Sequence, residues 1–201
     1  MSERPTTEPD GRADVAVVVP IKSFVEAKGR LSASLSPGER ADLARDMAAG
    51  VIRAAAPLPV WVVCHDHDVA RWAMGEGARV MWLSRPGLNS AVSAADRFLH
   101  RTGVTRIVVA HGDLPLAREL EWVADGAGVT IVPDRRGEGT NVLALPTGAG
   151  FVFGYGEGSA ARHRAEAERL GLAVRIVTDA DLGWDVDTPE DLDVFGPQEV
   201  Q

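Results

Sequence analysis

The chain has 201 residues, 45% hydrophobic and 25% charged, the balance of a globular protein with room for one full α/β core. A net charge of −8 argues against nucleic-acid binding driven by counterion release. The one cysteine, Cys64, excludes an internal disulfide and a cysteine zinc cage.

Residues 1–13 are polar with no apolar h-region, which predicts a disordered tail rather than a secretory signal. Residues 14–201 then form one domain. No apolar run approaches the roughly 20 residues of a membrane span, so the expected setting is the cytoplasm, without membrane or nucleic-acid partners. Val15–Val19 is an unbroken apolar run, as in a strand covered on both faces. Ser36-Pro37-Gly38-Glu39 is a capping box with proline at the first helical position, and Leu43, Met47, Val51 and Ile52 form the stripe of the helix it opens. Strands are predicted at 60–63 and 79–83, with a short helix at 69–74 between them. A helix at 89–100 carries Val92, Ala95 and Leu99 on one side. A strand at 106–110, a helix at 116–124 and strands at 129–132 and 141–145 follow. A glycine-rich stretch leads to a charged helix at 159–170 and a strand at 174–177. Thr188-Pro189-Glu190-Asp191 opens a last short helix. Alternating βα units at this spacing imply a mostly parallel sheet with helices on both faces, a Rossmann-like α/β architecture.

Only two lysines occur, Lys22 and Lys28, and both lie in the loop after the first strand. All other basic residues except histidine are arginine. A lysine ammonium is a compact point charge that can sit against a phosphate, and the carboxyl end of a first strand is where phosphates bind in such sheets. Chance clustering of two solvated lysines is the plainer alternative. Neither the dinucleotide glycine fingerprint nor the P-loop is present, so Lys22, Lys28, Arg30 and backbone amides would do the work. Asp113, in His111-Gly112-Asp113-Leu114-Pro115, follows the fourth strand and faces the ligand crevice unless it serves only the turn. Asp185 and Asp187 are two apart in an extended segment, so both carboxylates point to one side. With Asp113 they suit Mg²⁺, a hard cation that takes oxygen ligands; Asp187 alone could instead cap the last helix. Gly137 to Asn141 and Gly156 to Ser159 are small-residue turns whose amides can approach an anion. Ser159 is expected to cap the helix that carries Arg162 and His163. Ordinary turn chemistry explains these glycines equally well. His65-Asp66-His67-Asp68 resembles a metal run but lies where helix-capping aspartates occur.

Taken in order, several of these segments resemble the CofC/FbiD guanylyltransferases. They are Val19-Pro20-Ile21-Lys22 with Ala27-Lys28-Gly29-Arg30-Leu31, Gly87-Leu88-Asn89, Gly112-Asp113-Leu114-Pro115, Asp134-Arg135 with Gly139-Thr140-Asn141, Tyr155-Gly156 with Ser159 and His163, and Asp185-Val186-Asp187-Thr188-Pro189. The resemblance implies a small nucleotidyltransferase of MobA-like fold that joins GTP to a phosphorylated three-carbon acid, in biosynthesis of the deazaflavin coenzyme factor 420. The acid is 2-phospho-L-lactate in archaea and phosphoenolpyruvate in actinobacteria, and the arginine-rich composition favours the latter. It further implies Mg²⁺ on Asp113, Asp185 and Asp187, and leaving-group contacts from Lys22, Lys28 and Arg30. Thr140, Gly156 and Ser159 would hold the acid, and Gly87, Asn89 and Asp66 would face the nucleoside. A downstream transferase that consumes the product, and a second copy of the chain in a homodimer, are the expected partners to test. Cytidylyl- or sugar-nucleotide-type transferases, 3-phosphoglycerate as acceptor, and a non-catalytic nucleotide-binding module remain the alternatives.

Overall fold

Seven strands form one sheet in the order β3-β2-β1-β4-β6-β5-β7 in the computed structural model, which describes residues 14–84 and 87–193. The expected tail lies outside the described residues. The strands are β1 (Val15–Pro20), β2 (Val60–Cys64), β3 (Arg79–Trp82), β4 (Arg106–Ala110), β5 (Val129–Pro133), β6 (Thr140–Pro146) and β7 (Val174–Ile176). The α-helices are α1 (Pro37–Ala54), α2 (His67–Gly75), α3 (Leu88–Arg101), α4 (Ser159–Arg169) and α5 (Pro189–Asp193). Four of the strand pairings are parallel, and both pairings made by β6 are antiparallel. The predicted α/β class with a mostly parallel sheet is the one observed.

The continuous apolar runs are explained by burial on both faces. In β1, Val17 and Val19 face a core built with α1 and α2, whereas Ala16 and Val18 face α3 and the aromatic run Phe151, Phe153 and Tyr155. Each fully buried Val or Leu contributes about 1.5–3 kcal/mol, so a sheet buried on both faces needs no polar alternation. Ser36 and Glu39 form the expected capping box on α1, with each side chain bonded to the other's backbone amide.

One predicted helix is not there. Residues 116–124 form only a short 3₁₀ turn, Glu121–Ala124. The N–H of buried Leu120 bonds to the carbonyl of Ala54, at the end of α1, instead of to its own preceding turn. That tertiary bond prevents a continuous helix.

A third, smaller core matters most for the site. Leu31, Met47 and Val186 are buried together, with Leu35, Leu43, Trp184 and Leu192 packed around them. Val186 turns inward in an extended segment, so Asp185 and Asp187 on either side of it turn the other way.

Candidate active site

Three adjoining lobes form a cleft at the carboxyl ends of the parallel strands. The central lobe, of about 350 Å³, is lined by Lys22, Lys28, Arg30, Asp113 and Asp187. On one side lies a mostly apolar lobe of about 430 Å³ bounded by Val63, Cys64, Leu83, Gly87, Leu88 and Ala91. On the other lies a polar lobe of about 560 Å³ with His111, Thr140, Tyr155, Gly156, Ser159 and Asp185 on its walls. β6 runs against its neighbours, so its first residue, Thr140, arrives at the end of the sheet where Asp113 leaves β4. The His111 amide bonds to the Asn141 carbonyl there.

Lys28 stands at the junction of the central and polar lobes. It is the one non-glycine residue with positive φ among the described residues, at φ 54°, a backbone well that costs an ordinary side chain roughly 1–2 kcal/mol. This conformation accompanies an ammonium that is only 8% exposed, 2.6 Å from Asp113 and 3.1 Å from Asp187. Burial pushes the Lys28 pKa down, but the two carboxylates outweigh it and hold the pKa above the ordinary lysine value. For Asp113 burial pushes upward, and Lys28, with a smaller contribution from His111, brings the carboxyl below the usual range. Asp185 is not so compensated: burial, and then repulsion from Asp113 and Asp187, raise it. Arg30 reaches Asp187 at 3.5 Å, and Lys22 is 67% exposed and pairs with Glu26.

Lys28, expected against phosphate, lies instead between Asp113 and Asp187, two of the three carboxylates expected to take Mg²⁺. Among the described residues no group of three or more His, Cys, Asp or Glu side chains is arranged to hold a metal ion. The donor set nonetheless fits a hard divalent cation. Asp113 Oδ1 is buried without a partner among the described residues, and at Asp185 burial and the neighbouring Asp113 and Asp187 outweigh the hydrogen bond from Asn141 and raise the pKa.

Two residues expected at the nucleoside are used elsewhere. Asp66 caps α2, accepting from the amides of Asp68 and Val69, and lines none of the lobes. His67 of the same run stacks on Trp82. The Asn89 side chain is spent on the backbone of Tyr155, accepting its N–H at 2.7 Å and donating to its carbonyl. Gly87 does line the apolar lobe, and its φ of 136° suits glycine. Ser159 is not the cap of α4: that position is Gly158, at φ 66°, and the Ser159 hydroxyl bonds Thr140 instead.

Other contributors were not foreseen. Asp191 accepts from the amides of Asp187 and Thr188 and pairs with Arg135, whose guanidinium lies 4.3 Å from the Trp184 ring centre. These contacts overcome burial and hold its pKa at about 2. Asp191, not Asp187, therefore caps α5, which leaves the Asp187 carboxylate to Lys28 and Arg30. The Tyr155 hydroxyl and His111 Nε2 are buried on the polar lobe's wall without partners among the described residues.

His163 is fully buried, and burial lowers its pKa from 6.5 to about 4, with Arg162 and His111 adding to the effect. The unfolded chain takes up this proton near pH 6.5 and the folded chain does not until about pH 4. The contribution is thus complete above pH 6.5 and is lost as pH falls through that window, to about 3 kcal/mol. Replacing His163 by Asn is expected to flatten the fall in melting temperature between pH 7 and 4.5. An unchanged acid limb would show that His163 is not the residue responsible.

An apolar lobe, a cationic and carboxylate-lined centre and a polar lobe meet at the carboxyl ends of a largely parallel sheet, where α/β folds bind nucleotides, and the chain's relatives place it among the nucleotidyltransferases. A crystal structure from Desulfovibrio desulfuricans, assigned to the nucleotide-diphospho-sugar transferases, shares the fold with a TM-score of 0.74 at 18% identity, over 91% of this chain and 86% of that one. A family model described as "Guanylyl transferase CofC like" matches residues 15–195, and the chain belongs to that family. It is 38% identical to the phosphoenolpyruvate guanylyltransferase of Conexibacter woesei, over 89% of this chain and 85% of the relative. It is also 33% identical to the 3-phospho-D-glycerate guanylyltransferase of Phenylobacterium zucineum, over 87% and 86%.

Proposed function

We propose that the chain transfers the guanylyl group of GTP to phosphoenolpyruvate and releases pyrophosphate. The three-lobed cleft is the observation that carries this reading. Its apolar lobe offers faces for a base, its centre offers Lys22, Lys28 and Arg30 to phosphates, and its polar lobe offers hydroxyl and amide donors to a small anion. The relatives named as phosphoenolpyruvate guanylyltransferases favour that acid over 3-phosphoglycerate or 2-phospholactate. An oxygen of the acceptor's phosphate attacks the α-phosphorus of GTP. The bond from that phosphorus to the bridging oxygen breaks, and its electrons leave on pyrophosphate. A phosphate monoester with a second pKa of about 6 is already anionic at pH 7, so no protein base is required. Lys22 and Arg30, both largely exposed at the surface, would meet the leaving pyrophosphate.

Asp113, Asp185 and Asp187 would hold Mg²⁺. The ion would supply positive charge between two anionic reactants. Lys28, released from part of its ion pairing when the site fills, would turn to the same phosphates. The product is assigned to biosynthesis of the deazaflavin coenzyme factor 420, and the enzyme to the cytoplasm, where GTP is at hand. No helix among the described residues is long and apolar enough to cross a membrane.

Mass spectrometry of GTP, and in parallel CTP, incubated with phosphoenolpyruvate, 2-phospholactate and 3-phosphoglycerate in turn tests the reading. The expected result is pyrophosphate and a guanylylated adduct with phosphoenolpyruvate. An adduct with only another acid would overturn the acceptor, and an adduct with CTP alone would overturn the nucleotide.

A further inference from the structure

His163 lines none of the lobes, yet both its ring nitrogens are engaged. The Gly154 N–H lies 3.0 Å from Nε2, and Thr140 Oγ1 lies 3.0 Å from Nδ1. A backbone amide only donates, so Nε2 must be the bare nitrogen, and a neutral ring then carries its proton on Nδ1. Nδ1–H therefore donates to Thr140. Thr140 Oγ1 is in turn 3.2 Å from Ser159 Oγ. The two hydroxyls own two protons between them. One is used in the bond that joins them, whichever way it runs. The other has no protein partner among the described residues, and both hydroxyls belong to walls of the polar lobe.

The opposite tautomer would reverse the polarity of the pair. Thr140 would spend its proton on the ring, Ser159 would spend its own on Thr140, and the pair would meet an anion with lone pairs alone. The Gly154 amide thus settles, two hydrogen bonds away, whether this pair donates to an anion or opposes it.

We propose that His163 is a positioning residue that fixes the Thr140–Ser159 pair as a hydrogen-bond donor to an anionic oxygen of the acceptor acid. The inference rests on the acceptor reading of the polar lobe. His163 also packs against Phe151 and Tyr155, with ring centres at 5.8 and 4.7 Å. A purely packing role would be met by phenylalanine.

The test compares full-length His163→Phe, His163→Asn and Thr140→Val proteins, and the Phe and Val changes combined, in pyrophosphate release and in thermal shift by phosphoenolpyruvate alone. His163→Phe is expected to raise KM for the acid roughly tenfold or more, the scale of one hydrogen bond to a charged group, while KM for GTP stays within about twofold. The Asn amide nitrogen can stand where Nδ1 stood, so His163→Asn should recover most of the loss. In the Thr140→Val background His163→Phe should add little to the acid KM, because neighbours acting as one unit are not additive. Equal rises in both KM values, an Asn variant no better than Phe, or full additivity with Thr140→Val would overturn the positioning role. A wild type that turns over no acid, yet is stabilised by phosphoenolpyruvate in a His163-dependent way, would sink the transfer reaction and leave the donor pair standing. A wild type that neither turns over nor responds to the acid would sink both.

Discussion

Asp113→Asn is expected to remove activity and to weaken the fold at the same time. Asparagine keeps the shape but loses the charge that faces Lys28 at 2.6 Å. The ammonium, 8% exposed, would keep only Asp187 at 3.1 Å and Arg30's competition for it. Leaving a largely buried cation short of its nearest partner costs about 1–3 kcal/mol, or roughly 3–10 °C in a chain of this size. Loss of the carboxylate should lower pyrophosphate release by roughly 10³-fold, the upper range for removing one preorganised electrostatic group. Activity should return only in part at high Mg²⁺ or with Mn²⁺. Kinetics across a Mg²⁺ titration, with melting curves alongside, give both numbers, and wild-type turnover at ordinary Mg²⁺ would defeat the proposed chemistry.

Asp185→Asn should separate the two effects. Its pKa is raised by burial and by Asp113 and Asp187, and no ammonium lies against it. The folded carboxyl holds its proton to higher pH than the unfolded one. Keeping it ionised therefore costs stability once pH passes the unfolded value, and the cost grows until the folded pKa is passed. Asparagine removes that cost. At pH 7 the variant should melt no lower than the wild type, and any advantage should vanish below about pH 4, where both states are protonated. Its activity should nevertheless fall by roughly 10²–10³-fold. A variant that is both less stable and fully active would reverse this account of Asp185.

The architecture was legible because two kinds of pattern agree along the chain. Unbroken runs such as Val15–Val19 mark doubly covered strands, and caps such as Ser36 with Glu39 mark helix starts. Direction was not legible: the apolar run at β6 reads the same whichever way the strand travels, and only tertiary packing reverses it. The helix expected at 116–124 failed because a partner from α1 claimed the Leu120 amide. In the site, Asp185 and Asp187 were legible from spacing, since the buried Val186 between them enforces the alternation. The pairing of Lys28 with Asp113 joins residues 85 positions apart and accompanies a left-handed backbone at a non-glycine residue, which no local pattern announces. Asp66 and Asn89 bond backbone groups here, which spacing does not announce, because short polar side chains serve backbone amides as readily as ligands. His163 was visible as a helix residue, but its importance lies in what Gly154 and Thr140 do to its ring.

The reversed strand has a consequence for how this cleft can diversify. β5 and β6 are joined by the turn 134–139, closed by the Asp134 N–H on the Gly139 carbonyl and filled by the Asp134 side chain. That turn lines the polar lobe, whereas the apolar lobe and the lysine loop belong to other stretches of chain. The register of β6 against β4 is set further along, from Val142 to Pro146. The turn is therefore an adjustable cuff only at its exposed tip, Arg136 and Gly137. Arg135 pairs with Asp191 and the Glu138 carbonyl accepts from the Ala160 amide, so those positions tie the turn to α5 and α4, and the tip can reshape the polar lobe while the sheet beneath keeps its register.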